Sequence, residues 1–435
     1  MNLQEIYKSK LITADQAATK IVSGNRVATG HACAEPITII NAMVKNKDAY
    51  KDVEIVHMVP MGKDEYTKPG MESHFIHNAL FVGASTKEAV AQGRADFTPV
   101  FFSKIPDLFR KYLPIDVALI QVSSPDEHGC CSFGVSVDYT KTAAECAKVV
   151  IAEVNKQMPR TMGDSFINLS DIDYIVESNH PLIELTPPKI GDVEKAIGKN
   201  CASLIEDGST LQLGIGAIPD AVLLFLKEKK DLGIHSEMIS DGVVELVEAG
   251  VITGKAKTLH KGKIVVTFLM GTKRLYDFVD NNPMVEMYSV DYVNDPSVVA
   301  KNNKMVCVNS AIQVDFMGQV NAEMIGPTQF SGTGGQVDFI RGASMAKNGK
   351  AIIAMPSTAC KGKVSRIKPY LDEGAAVTTL RNDVQYVVTE YGIAQLKGKT
   401  LKNRAKALIN IAHPDFRNEL IEEFEKKFKC KFTSK

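Results

Sequence analysis

Three segments of this 435-residue chain set chemically capable groups beside glycines. The first, Leu211-Gln212-Leu213-Gly214-Ile215-Gly216-Ala217-Ile218-Pro219-Asp220, passes from apolar residues through Gly-x-Gly into a helical pattern. That order predicts a strand, a tight turn and a helix, with Pro219 in the first helical turn, where its missing N–H is not needed. Glycines let a backbone approach a ligand closely, and the N–H groups at a helix start favour an anion or a developing oxyanion. A dinucleotide-binding turn would look similar, but Pro219 occupies its third glycine position; a purely structural turn is the other alternative. In the second segment, Glu237 sits in the strand-like run Ile234–Ile239, ahead of Asp241-Gly242, which reads as a turn. A carboxylate there is costly to bury unless it is paired or used, either in a salt bridge or as covalent nucleophile or general base. The third segment, Phe330-Ser331-Gly332-Thr333-Gly334-Gly335-Gln336-Val337-Asp338-Phe339-Ile340-Arg341-Gly342-Ala343, carries four glycines and then a strand-like Val337–Ile340. Anchored in this way, its loop would present backbone N–H donors as an oxyanion site requires; a flexible loop is the competing reading.

Other combinations carry less. His31 and Glu35 are spaced i,i+4 and His74 and His77 i,i+3, but neither pair has a third or fourth metal ligand, so no metal is expected. No Gly-x-Ser-x-Gly elbow occurs, and Gly398-Lys399-Thr400 matches a Walker loop only at its end, because Ile393 stands where the leading glycine is required. Lys361, Lys363 and Arg366 cluster after Pro356, on a solvated face or facing a phosphate.

The elements that must position these groups alternate. Val53–Val59, Val117–Val122, Val149–Val154, Ile264–Phe268, Met305–Asn309 and Ala351–Met355 read as buried strands. Thr13–Val22, with Thr13 as N-cap, Pro36–Val44, Asp192–Ile205, Asp220–Glu228 and Arg404–Ile411 read as helices. Such alternation predicts an α/β fold with mainly parallel sheets. A weak repeat divides it: Ser23-Gly24-Asn25-Arg26-Val27-Ala28-Thr29-Gly30 parallels Asp207-Gly208-Ser209-Thr210-Leu211-Gln212-Leu213-Gly214. Asp116–Ile120 and His128-Gly129 find an echo in Asp338–Ile340 and Asn348-Gly349. Two related domains are expected, residues 1–185 and 186–435, joined through the proline-rich stretch around Pro181, Pro187 and Pro188.

Composition narrows the partners. Fifty-one basic residues balance 51 acidic ones, against a dedicated nucleic-acid binder, and no apolar run approaches a membrane span. The start of the chain lacks a signal-peptide pattern, and eight scattered cysteines read as reduced thiols, so a cytoplasmic protein is expected.

In their order, the three segments resemble the acetyl-CoA hydrolase/transferase branch of the family I CoA-transferases. Gly334-Gly335-Gln336-Val337-Asp338-Phe339-Ile340-Arg341-Gly342-Ala343 is similar to that branch's Gly-Gly-Gln-x-Asp-Phe-x-x-Gly-Ala pattern. Glu390-Tyr391-Gly392-Ile393-Ala394, Arg404–Leu408 and Ile411-Ala412-His413-Pro414-Asp415-Phe416 resemble its C-terminal signature. The resemblance implies two related α/β domains with the active site in the cleft between them, the second carrying the nucleophile Glu237. It implies oxyanion donors at Ile218 and Gly335, and CoA contacts at Gly214, Ile215, Gly216, Ala217, Ile218, Ile312, Gly335 and Lys361, with Lys363 the alternative to Lys361. The implied reaction moves CoA from a short-chain acyl-CoA to acetate through a glutamyl-CoA thioester. 4-Hydroxybutyryl-CoA is the first choice of donor, butyryl-CoA the second, and an acetyl-CoA hydrolase the alternative activity. CoA would be a substrate, with no tightly bound cofactor, and relatives of this kind imply a homo-oligomer. The acyl pocket is expected from the first half, around Glu35 or Met58–Gly62.

Overall fold

A computed structural model describes residues 2–433. The chain forms two compact units, residues 1–186 with 265–293, and residues 187–264 with 294–435. It therefore passes between units three times, whereas a single boundary at 185 assigns 265–293 to the second. Residues 179–191, with the three prolines, contain no regular element. Among the described residues no helix is long and apolar enough to cross a membrane.

The first unit is built on β1 (Arg26–Thr29), β2 (Val53–His57), β3 (Phe75–Ala79), β4 (Ala95–Phe97), β5 (Val117–Val122), β6 (Val149–Asn155) and β7 (Tyr174–Ser178). They lie in the order β7-β6-β5-β1-β2-β3-β4, and every pairing is parallel. Each residue of β5 is buried, as expected of a central strand covered on both faces. Helix α1 (Ile37–Lys45) lays Ile39, Ile40 and Met43 onto the same core as Val27, Ile55 and Leu119. Thr13 caps its helix as expected, accepting from the Gln16 N–H at 3.1 Å, but that helix is only Ala14–Ala18.

In the second unit the central strands are β8 (Thr210–Leu213), β9 (Gly233–His235), β10 (Met305–Ser310), β11 (Lys350–Ala354), β12 (Tyr386–Thr389) and β13 (Gly392–Gln395). Their order is β13-β12-β11-β10-β8-β9, parallel except for the terminal β12–β13 hairpin. The run β7-β6-β5-β1-β2 of the first unit thus has its counterpart in β12-β11-β10-β8-β9. Each leading strand, β1 or β8, is entered through a left-handed glycine, Gly24 at φ 77° or Gly208 at φ 72°. The duplication seen at 23–30 and 207–214 is structural.

Its second half is not. Val337–Ile340, expected as a strand echoing 116–120, belongs instead to a helix, α5 (Gln336–Met345). That helix buries Gln336 through Ile340 without a break, so no polar stripe revealed its period, and a short apolar run reads equally well as strand or buried helix. Asp241-Gly242 is not a turn but the first two residues of helix α4 (Asp241–Glu248). Ile264–Phe268 divides into Ile264–Val266 and Phe268–Leu269.

After β1 the chain folds back on a buried acid. Glu35 accepts the Met61 N–H at 3.0 Å and the Gly62 N–H at 2.7 Å, while His31 contacts Asp138 at 2.9 Å. Glu35 and Met61–Gly62 line a cavity of about 310 Å³ with Ile37, Ile40 and Val44. Burial, with the nearby charge of Asp64 adding to it, raises the Glu35 carboxyl from 4.5 to about 7. A raised acid holds its proton in the folded state after the unfolded chain has released it, so its contribution to stability is present below pH 4.5 and is lost as pH rises to about 7. Glu35→Gln removes this term: the melting temperature of the wild type relative to the variant should fall between pH 4.5 and 7, and a constant difference would refute it.

Candidate active site

Strand order decides where a site can form in the second unit. From β8 the chain moves to β9 on one side and later returns to β10 on the other, so the sheet reverses between β8 and β10. Crevices at the carboxyl ends of the strands beside such a reversal are the usual ligand sites of open parallel sheets. Gly214–Ile218 follow β8, Ile312 follows β10 by two residues and Glu237 follows β9 by two.

After β8, Gly216 takes φ 113°, a value that favours glycine, and helix α3 (Ala217–Leu224) begins at once. The helix starts three residues earlier than Asp220, so Ala217 and Ile218 are its first two residues, whose N–H groups lack intrahelical acceptors. Ile215 is exposed, and a Cβ placed on Gly214 or Gly216 would meet nothing within 4 Å, so this turn faces open space. Ser236, adjoining Glu237, hydrogen-bonds the Leu213 carbonyl at 3.2 Å and so ties the turn to the glutamate segment.

Glu237 is half-buried in a bend between β9 and the short strand Met238–Ile239. One carboxylate oxygen, Oε2, accepts from Asn294 Nδ2 at 2.9 Å. The same oxygen lies against Gly335: a Cβ built there would stand 1.8 Å from Oε2 and 2.3 Å from Asn294 Nδ2. Only glycine fits. Gly335 directly precedes α5, whose N-terminal end carries the positive pole of the helix dipole and favours an anion.

Asn294 was not evident in the sequence. Val293-Asn294-Asp295-Pro296 signals only a turn and a helix start, and Asp295 does cap Pro296–Val299 by accepting the Ser297 N–H at 2.7 Å. A wholly buried asparagine beside a carboxylate acquires its meaning from the partner.

Of the remaining expected residues, Ile312 lies just beyond the end of β10. Gln336 Nε2 donates to the Ser310 carbonyl at 2.9 Å, joining the start of α5 to β10. The Ile312 N–H already donates to the Asn321 carbonyl at 2.9 Å, so any ligand contact there falls to its side chain or carbonyl. Lys361 and Lys363 are exposed together at the tip of the hairpin Thr358–Ala359/Val364–Ser365. Arg366 does not join them: its guanidinium is directed to backbone carbonyls.

The parallel α/β units and the carboxylate cradled by amide and glycine are those of an α/β enzyme. Residues 1–187 match the family model of the acetyl-CoA hydrolase/transferase N-terminal domain and residues 271–424 that of its C-terminal domain. The 4-hydroxybutyrate coenzyme A transferase of Clostridium kluyveri is 72% identical over 98% of this chain and 100% of its own. A probable butyrate:acetyl-CoA coenzyme A-transferase of Syntrophomonas wolfei is 41% identical, covering 98% and 97%. The crystal structure of a 4-hydroxybutyrate CoA-transferase from Porphyromonas gingivalis superposes with a TM-score of 0.85 at 47% identity, covering 98% of this chain and 100% of that one. The chain belongs to the acetyl-CoA hydrolase/transferase family and is an enzyme of the CoA-transferase class.

Two substitutions test this geometry. Gly335→Ala should displace the Glu237 carboxylate and cut turnover by about a hundredfold or more, the scale of a lost oxyanion donor, with the circular-dichroism spectrum retained. Asn294→Ala removes a hydrogen bond to a charged group, for which about 1.5–3 kcal/mol, or roughly 10–100-fold in kcat, is expected in steady-state assays. Unchanged kcat in either variant would show that the carboxylate is not held for reaction.

Proposed function

We propose that this enzyme transfers CoA between 4-hydroxybutyryl-CoA and acetate, with Glu237 as the covalent nucleophile. The observation that carries the reading is the Glu237 carboxylate held between Asn294 and the Cα of Gly335, with Ser236 tying it to the open glycine turn 214–216. The 72% identity to a 4-hydroxybutyrate coenzyme A transferase supports 4-hydroxybutyryl as the acyl group, and the more distant butyrate relative makes butyryl-CoA the second choice.

The chemistry follows from those groups. The carboxylate oxygen attacks the thioester carbonyl; the C–S bond breaks, leaving a mixed anhydride on Glu237 and CoA thiolate. The thiolate attacks the glutamyl carbonyl and expels the free acid, giving a glutamyl-CoA thioester. Acetate then attacks that thioester and the same steps run backwards, releasing acetyl-CoA and the free carboxylate. One thioester is consumed and one is formed, so transfer draws on no further energy source. Each addition creates an oxyanion, for which the backbone N–H groups of Ile218 and Gly335 are the donors. CoA lies along Gly214–Ile218, Gly335 and Ile312, with Lys361 meeting a phosphate.

One preparation tests both levels of the proposal. Acetate-dependent turnover of 4-hydroxybutyryl-CoA should exceed that of butyryl-CoA, and borohydride or hydroxylamine should trap the glutamyl-CoA thioester at Glu237. A butyryl preference reverses the substrate order, label on another residue removes Glu237 as nucleophile, and CoA release without acetate makes the enzyme a hydrolase.

A further inference from the structure

Arg366 has no part in the chemistry above, yet it connects two of the segments assigned to CoA. Its guanidinium donates to the carbonyls of Thr358 at 3.2 Å, Ala311 at 3.0 Å and Ile312 at 3.5 Å. Thr358 opens the hairpin that carries Lys361, and Ala311–Ile312 follow β10. The Arg366 backbone is held as well, its N–H by the Ser357 carbonyl and its own carbonyl by the Val314 N–H, both at 2.9 Å. Ser357 is anchored in turn by Glu390, which accepts its N–H at 2.9 Å and its hydroxyl at 2.6 Å.

The hairpin needs such an anchor. Its tip, Cys360-Lys361-Gly362, has three consecutive positive φ values of 52°, 57° and 84°. Two of those residues carry a Cβ, which the left-handed region disfavours, so the conformation persists only where surrounding contacts determine it. The tip is exposed, and Arg366 ties the base of the hairpin, at the Thr358 carbonyl, to the Ala311 carbonyl.

We propose that Arg366 is a positioning residue that fixes the Lys361 hairpin against the Ile312 segment, and so sets the grip on the nucleotide end of CoA without touching the reacting atoms. This rests on the reading that Lys361 meets a CoA phosphate. A planar guanidinium can serve several carbonyls at once; a lysine ammonium keeps the charge but lacks the fork.

The test compares an acyl-CoA with the same acyl group on pantetheine, which lacks the nucleotide. Arg366→Lys should raise the KM for acyl-CoA about tenfold, the scale of one lost charged hydrogen bond, and leave kcat within about twofold. Its kcat/KM for acyl-pantetheine should stay within about twofold of the wild type, a split that general loosening of the fold would not produce. Arg366→Gln is measured alongside, so that a folding defect in one replacement leaves the other to decide. Lys361→Ala provides the reference, with the same selective loss for acyl-CoA. Selectivity lost in Lys361→Ala but absent from both Arg366 variants overturns the role of Arg366 alone. If no variant distinguishes the two substrates, the phosphate contact of the hairpin fails and the proposal falls with it. Equal losses on both substrates in the Arg366 variants also overturn it.

Discussion

The second unit is organised around a contact that only a residue without a side chain allows: the Glu237 carboxylate resting on the Cα of Gly335. An oxyanion formed at that carboxylate can be met by backbone N–H groups only if no Cβ stands between them. Gly335 supplies that opening and also starts α5, so helix pole and bare backbone coincide. A second close approach supports the first. A Cβ on Gly342 would stand 2.5 Å from Val299, so the glycine lets Pro296–Val299 pack onto α5. That short helix begins two residues after Asn294, and its seating brings the asparagine amide to the carboxylate.

The two units share the order of five strands but place their acids differently. Both units reverse strand order beside their leading strand, and both place a loop after it. In the first, that loop carries Glu35, whose Oε2 accepts both the Met61 and the Gly62 N–H groups. In the second, the corresponding turn keeps Gly214 and Gly216 facing open space, and the acid comes from the neighbouring strand.

The balanced net charge of the chain is compatible with a polyanionic substrate, because a total of zero does not prevent positive groups from being concentrated locally. Helix N-termini contribute no formal charge, and a lysine hairpin adds little to a total of 51 cations and 51 anions. Ser357 and Arg366 are themselves tied by hydrogen bonds at the base of the hairpin that carries those lysines.

Local chemistry made much of this legible in the sequence. β5 was readable from the apolar run Val117–Ile120, the turn at 214–216 from its glycines and following proline, and Thr13 as a cap from its hydroxyl. Periodicity failed where burial is complete: α5 shows no polar stripe, so Val337–Ile340 resembled a strand. The return of 265–293 to the first unit had no local sign, since unit membership is set by contacts distant in sequence. Nor did Asn294, 57 residues from Glu237, or Arg366, more than 50 from the carbonyls of Ala311 and Ile312 that it holds. The sequence by itself determined which residues carry reactive groups and which turns leave backbone exposed, because those are properties of side chains and near neighbours. Tertiary structure alone decided which carboxylate rests on bare backbone, which amide meets it and which arginine reaches the carbonyls at the base of the lysine hairpin, because hydrogen bonds act over about 3 Å in space whatever the separation along the chain.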